Sequence, residues 1–371
     1  MKVFFYVQHL LGIGHLKRAV TLSSAMRSAG FDVTLASGGL PVQGIKVLQL
    51  PPVSSPDFKT LLDEHGKPVD EAWKARRRDA LLAAFRAAPP DVLVVELFPF
   101  GRRQMRFELI PLLDEAKNGS GPFSRKKGRT PLVVCSVRDL LQPNAAREDE
   151  ALQCFERYFD RLMVHGDPRI APLERSFSKA RALEGKLYYT GYVVEDLAHA
   201  DSPVGQNEIL VSAGGGAVGR KLLETAIAAR PLTRLRDRIW RVLAGVNAQG
   251  LESLQSEGVI VERSRNDFTQ RLRNCVLSVS QAGYNTVVET LQAGARAVLV
   301  PFAGAGEMEQ TLRARLLAEK GLVQVVEEDR LTSAALAAAI DRAAAGPPPA
   351  SRTVDLDGAR RSAELLREWV G

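Results

Sequence analysis

Apolar residues in this chain alternate between short solid runs and stretches where they recur every third or fourth position. Solid runs at 2–8, 32–37, 45–50, 91–97, 131–137, 161–165 and 186–190 predict strands. A run that is apolar at nearly every position suits a strand covered on both faces, as in a parallel sheet. Between these runs, helical periodicity appears at 16–29, 72–88, 101–115 and 151–159. The first of these helices places Leu16, Val20, Leu22 and Met26 on one side and is closed by Gly30. Residues 51–68 carry Pro, Ser and Asp without a period and read as a long loop, and 118–129 is a polar, glycine-containing excursion. Strands alternating with helices predict a doubly wound parallel sheet.

A second series starts at 208–212 (EILVS) and continues with strands at 240–244, 259–261, 275–280, 297–301 and 323–326. Its helices fall at 218–229, after Gly283, from about 307, and at 333–344. Residues 191–206, with Asp, Ser and Pro, read as a hinge; 346–350 (GPPPA) is a stiff linker before a terminal helix at 357–369. The expectation is therefore an α/β protein of two Rossmann-like domains, 1–195 and 206–346, with a terminal helix within 355–370 that packs back on the first. Neither half reads as a tandem copy of the other.

Composition narrows the function. Of 371 residues, 45% are hydrophobic and 25% charged, enough for two full cores. No apolar run approaches the length of a membrane span. Gln8 and His9 interrupt the first run and no small-residue cleavage site follows, so it reads as a strand and not a signal peptide. Cys135, Cys154 and Cys275 are far apart and the five histidines are scattered, so neither disulfides nor a metal is expected, and a cytoplasmic location fits. Asp355-Leu-Asp357 lies in the tail and reads as turn and cap chemistry. The net charge of +7 is uneven, with 29 Lys and Arg against 23 Asp and Glu in residues 1–200 and 21 against 20 thereafter. Basic clusters at 74–78, 102–103 and 125–129 are either solvated surface or an attraction for an anionic acceptor or the inner face of a membrane. They lack interleaved aromatics, which argues against nucleic acid.

Three loops at strand ends carry the candidate chemistry. Gly12-Ile-Gly14-His15 follows the first strand; a neutral imidazole at a helix start there suits a general base, and a structural cap is the bland alternative. Ala213-Gly214-Gly215-Gly216-Ala217 is a glycine loop between strand and helix, suited to a pyrophosphate. It is not the dinucleotide fingerprint, since no acidic residue ends the second strand of the chain, so NAD is not expected. The third loop lies within 275–315, where two helices begin just past strand ends and offer unpaired N–H groups to a phosphate. Asn285 and Glu289 share a face of the first of these helices, and a carboxylate there suits a pair of sugar hydroxyls. Glu309 and Gln310 open the second. In the first half Glu96, Arg103, Arg138 and Asp139 sit near strand ends, where they would line an acceptor pocket or form internal salt bridges.

Gly283, Thr286, Glu289 and then Glu309-Gln310 stand in the spacing of a G-x-x-T-x-x-E pattern followed by an acidic residue and Gln. This stretch resembles the nucleotide-sugar half of GT-B glycosyltransferases of the family-28 type, and the likeness extends over nearly the whole chain. It implies two doubly wound domains facing across a cleft, with Glu289 on the ribose, Glu309-Gln310 on the donor sugar and His15 acting on the acceptor. It further implies a UDP-sugar donor and, with the anionic character suggested by the basic clusters, an acceptor that is lipid-linked. The Gly12–His15 loop with Arg18 is also similar to nucleotide-sugar hydrolases of the same shape. Two departures from the family pattern are Gly214, where a Ser often contacts phosphate, and Tyr192-Val193, where Asn-Pro is usual. The expectation is metal-independent, cofactor-free glycosyl transfer. A hydrolase or epimerase on the same fold and a non-catalytic nucleotide-sugar binder are the rivals.

Overall fold

A computed structural model describes residues 1–57, 59–118, 130–195, 202–213, 219–245, 250–263, 265–304, 308–349 and 354–371. Most of the polar excursion, residues 214–217 of the glycine loop and residues 196–201 of the expected hinge lie outside the described residues. Two compact units emerge: Met1–Pro168 with Pro172–Val193 and Asp357–Gly371, and Val194–Leu356 with Arg169–Ala171.

The first unit is built on β1 (Lys2–Val7), β2 (Asp32–Ser37), β3 (Leu48–Gln49), β4 (Val92–Glu96), β5 (Leu132–Arg138), β6 (Arg161–His165) and β7 (Leu187–Tyr189). Among the described residues they form one parallel sheet in the order β3-β2-β1-β4-β5-β6-β7. Its helices are α1 (Gly14–Ser28), α2 (Glu71–Ala87), α3 (Arg106–Asn118) and α4 (Glu148–Tyr158). The solid apolar runs are explained by two cores, one on each face: Phe4 and Tyr6 of β1 enter one, Val3, Phe5 and Val7 the other. The chain reverses its winding between β1 and β4, so the carboxyl ends of these two strands flank the crevice where doubly wound sheets take ligands.

The second unit repeats the plan with β8 (Glu208–Ser212), β9 (Ile239–Leu243), β10 (Val259–Glu262), β11 (Leu277–Ser280), β12 (Ala297–Leu299) and β13 (Gln324–Val325), in the order β10-β9-β8-β11-β12-β13. Its helices are α5 (Arg220–Ala229), α6 (Phe268–Asn274), α7 (Tyr284–Ala293), α8 (Glu309–Glu319) and α9 (Ser333–Ala345). Here the reversal falls between β8 and β11.

The last helix, α10 (Gly358–Val370), belongs to the first unit, where Ala363 and Leu366 share a core with Leu16, Ala19, Leu22 and Met26 of α1. Trp369 meets Tyr188 edge-on at 4.9 Å. The Gly358 N–H donates to the Tyr192 carbonyl at 3.0 Å, and a Cβ at 358 would lie 2.4 Å from the Gly191 oxygen, so only glycine fits.

Local readings fail where a turn claims the backbone. The strand expected at 45–50 contracts to Leu48–Gln49 because the Ile45 N–H closes a turn on the Val42 carbonyl. The helix expected from 101 starts as a 3₁₀ turn at Arg103–Met105, since Arg102 is left-handed with φ 57°. The short polar α6 was not expected; Arg271 within it is anchored on Glu208 at 2.7 Å, a contact that no period reveals.

Candidate active site

In the first unit, parallel register brings the ends of β1, β4, β5 and β6 to a common edge. Glu96, the last residue of β4, is in register with Ser136 of β5, and Arg138 with His165 of β6. His15 lies in the first turn of α1, immediately after the β1 loop, so His15 and Glu96 come from the two strands at the reversal. His15 Nδ1 is 2.7 Å from Glu96 Oε1, and Arg18, one turn further along α1, donates to the same oxygen. A carboxylate only accepts, so Nδ1 carries the proton and Nε2 keeps its lone pair. Among the described residues Glu96 Oε2 has no hydrogen-bond partner, although the side chain is 1% exposed.

The charges reinforce this tautomer. Burial holds the His15 imidazole down to about 3, Arg102 and Arg138 act in the same direction, and Glu96 opposes them. Burial alone would raise Glu96, but His15, Arg18 and Arg102 prevail and keep its carboxyl at about 2. The pair is a neutral imidazole donating to a carboxylate, with cations behind it. The positive start of α1 favours the same state.

Backbone strain aims these groups. Leu97, just after Glu96, has φ 67°, and Arg102 has φ 57°. A residue with a side chain pays about 1 kcal/mol or more for this conformation, which is kept where the surroundings over-determine it. The Leu97 N–H donates to the Ser136 carbonyl at 2.8 Å, and the left-handed turn at 102 lets Arg102 Nε donate to the Gln8 carbonyl at 2.8 Å. Gln8 is held in turn by Arg77, whose guanidinium reaches Gln8 Oε1 at 2.6 Å, Gly38 O at 2.7 Å and Glu108 Oε2 at 2.7 Å.

Gly14 opens α1 beside His15. Arg138 is half-buried at the end of β5, and its charge reaches His15. Arg103 points elsewhere, pairing with Glu150 at 3.0 Å with its side chain half exposed. Asp139 is buried and accepts from the Leu140 N–H at 2.8 Å. A buried chain behind the site was not foreseen: Ser136 Oγ to His165 Nε2 at 2.7 Å, and His165 Nδ1 to Thr190 Oγ1 at 2.9 Å. Burial, with Arg18, holds His165 neutral, at about 3.

In the second unit, Gly283 is the N-cap of α7 without a side-chain capping bond. A Cβ on it would meet no described atom within 4 Å. Asn285, Thr286 and Glu289 are half-buried along that helix. On α8, Glu309 is buried against Arg313, and Gln310 Oε1 accepts from the Phe302 N–H at 3.2 Å, bracing the β12–α8 loop. Gly214, Gly215 and Gly216 lie outside the described residues.

Residues 214–363 match the glycosyltransferase family 28 C-terminal domain. Residues 214–363 are therefore family-28-like, and the chain has the GT-B fold. It is 31% identical over 186 residues to the UDP-N-acetylglucosamine–N-acetylmuramyl-(pentapeptide) pyrophosphoryl-undecaprenol N-acetylglucosamine transferase of Rhodospirillum centenum, a match covering 46% of this chain and 49% of that protein. The chain thus spans about half the length of the curated relatives it matches. Among solved structures, MurG of Acinetobacter baumannii superposes with a TM-score of 0.64 at 15% identity, covering 99% of this chain and 100% of that one. The calicheamicin glycosyltransferase CalG4 gives 0.67 at 16% identity, covering 100% and 98%.

Two functional candidates escaped sequence reading. Arg102 adjoins Arg103, and only the left-handed turn decides which of them reaches inward to the Gln8 carbonyl. Arg313 did leave a signal, since Glu309 and Arg313 are four apart on a helix. Among the described residues no helix is long and apolar enough to cross a membrane, and no group of three His, Cys, Asp or Glu is placed to hold a metal ion.

Proposed function

We propose that the protein is a glycosyltransferase that moves a sugar from a UDP-sugar to an acceptor hydroxyl, with His15 as general base. The observation that carries this reading is the His15–Glu96 pair at the β1/β4 reversal. Nε2 of His15 takes the acceptor proton; the acceptor oxygen bonds to the anomeric carbon as the bond to the diphosphate oxygen breaks. Glu96 holds the imidazole in the required tautomer and steadies the imidazolium that forms. In the second unit Glu289 and Asn285 hold the ribose, Gln310 faces the donor sugar, and the glycine loop 214–216 takes the pyrophosphate. The amide end of α7 stabilises the departing diphosphate, so the scheme requires no metal and no cofactor.

The relative's name supports N-acetylglucosamine as the sugar and a pyrophosphoryl-lipid as acceptor. Arg18, Arg102 and Arg138 against Glu96 and Asp139 suit an anionic acceptor, and the surplus of basic residues suits peripheral contact with an acidic inner membrane face. The test combines binding with turnover. Nucleotide sugars are screened by melting-temperature shift, then UDP release is followed with a pyrophosphoryl-lipid acceptor. His15→Ala is expected to keep the shift and lose turnover; turnover within about threefold of the parent rules out His15 as base. Free sugar released at the same rate without acceptor would move the assignment to a hydrolase.

A further inference from the structure

The β11–α7 loop and the first turn of α8 are joined by one buried arginine. Arg313 NH2 pairs with Glu309, four residues back on α8, while NH1 leaves the helix and donates to the Ala282 carbonyl at 3.0 Å. The guanidinium also lies 5.7 Å from the centre of the Tyr284 ring, the first residue of α7. The side chains of Arg313 and Glu309 are 1% and 9% exposed. Ala282 is the residue before the N-cap Gly283, so the carbonyl held by Arg313 fixes where α7 begins. On its other side the Gln281 N–H donates to the Ser212 carbonyl at 3.4 Å.

Burying such an ion pair brings little net stability, because desolvation offsets most of the attraction. Within one helix the pair would need only each other. Here the second arm of Arg313 is spent on a loop carbonyl in front of the donor helix. Glu309 Oε1 is occupied by the guanidinium at contact distance. We infer that Glu309 serves donor binding as a positioning residue, through Arg313 and the Ala282 carbonyl, and not by touching the sugar. The pair is a brace that presents the first amides of α7, and with them Asn285 and Glu289, to the nucleotide diphosphate. The inference deepens the donor assignment above and rests on it.

The two roles separate by ligand. A brace acts before any sugar contact, so its loss weakens UDP and UDP-N-acetylglucosamine alike. A direct sugar contact weakens UDP-N-acetylglucosamine only. Titration calorimetry with both ligands on the full chain, for Glu309→Leu, Arg313→Met and the double variant, reads the difference. About tenfold weaker binding of both ligands is expected in each single variant, with the double no worse than either. Each single variant leaves a buried unpaired charge; the double removes both and keeps the comparison available if a single fails to fold. Arg313→Lys keeps the charge but cannot span Glu309 and Ala282 together, and is expected to recover stability without recovering affinity.

A loss confined to UDP-N-acetylglucosamine, or additive losses of about a hundredfold in the double, overturns the brace. Amide hydrogen exchange provides a ligand-free readout: the 282–284 amides are expected to exchange faster in Arg313→Met and in Arg313→Lys. If the parent bound neither ligand, the donor assignment would fall, and unchanged exchange at 282–284 would overturn the brace on its own.

Discussion

Glu96→Gln perturbs the proposed chemistry with the least change of shape. Glu96 is buried, and its one bonded oxygen serves both His15 Nδ1 at 2.7 Å and Arg18. The amide keeps the size and one acceptor but removes the anion, leaving Arg18 as a buried cation without that partner. Breaking a buried pair from one side costs about 3 kcal/mol, readable as a lower urea midpoint with an unchanged slope. The kinetic consequence is separable. Glu96 raises the pKa of His15 against burial, Arg102 and Arg138, so its loss moves His15 further below about 3. The imidazole of the variant is therefore neutral from about pH 6 to pH 9, and what is lost is the anion that fixes its tautomer and stabilises the imidazolium. UDP release at saturating donor should fall about 10²–10⁴-fold at every pH in that window, with no recovery as the pH rises. A loss smaller than about threefold would refute the paired-base argument, and so would recovery to the parent rate above about pH 8, which would make the defect one of protonation.

Other expectations follow from the same contacts. His15 and His165 are both held to about 3 in the folded chain against an ordinary 6.5, so the unfolded chain takes up protons that the folded one refuses. Stability present above about pH 6.5 should therefore be lost on acidification, approaching about 1.4 kcal/mol per pH unit per histidine; Glu96, held to about 2, adds to the loss further into acid. Denaturation between about pH 7 and pH 5 checks this, and His165→Gln should shallow the slope by about one proton. Gly358→Ala places a methyl 2.4 Å from the Gly191 oxygen and 2.6 Å from the Tyr192 oxygen, both backbone, and should cost about 2 kcal/mol or more. Limited proteolysis should then release α10, whereas an unaltered digest would show that the tail docks without that contact. Glu289→Ala should abolish the melting shift with UDP; a shift of the parent's size would remove Glu289 from the ribose site.

Much of this was legible in the linear chain because it depends on local regularities. Solid apolar runs must be buried on both faces, and parallel strands joined through helices satisfy that requirement, so period alone yielded two α/β sheets. Spacing likewise placed His15, Glu96 and Gly283 at or just beyond strand ends, and Glu289 on the helix that follows. Adjacency across the sheet is another matter. Glu96 lies 81 residues from His15 in the chain, and only the strand order and parallel register set the two carboxyl ends side by side. Spacing cannot say which of two neighbouring arginines turns inward; a positive φ at Arg102 sends it toward Gln8 and leaves Arg103 on Glu150. Nor can it say whether a carboxylate in a first helical turn faces a ligand or, like Glu309, a buried arginine that reaches back to another loop. Local pattern is enough for the elements and for the strand ends where chemistry can sit. The tertiary structure decided which side chains meet there, because burial and contacts between distant segments set both charge state and aim.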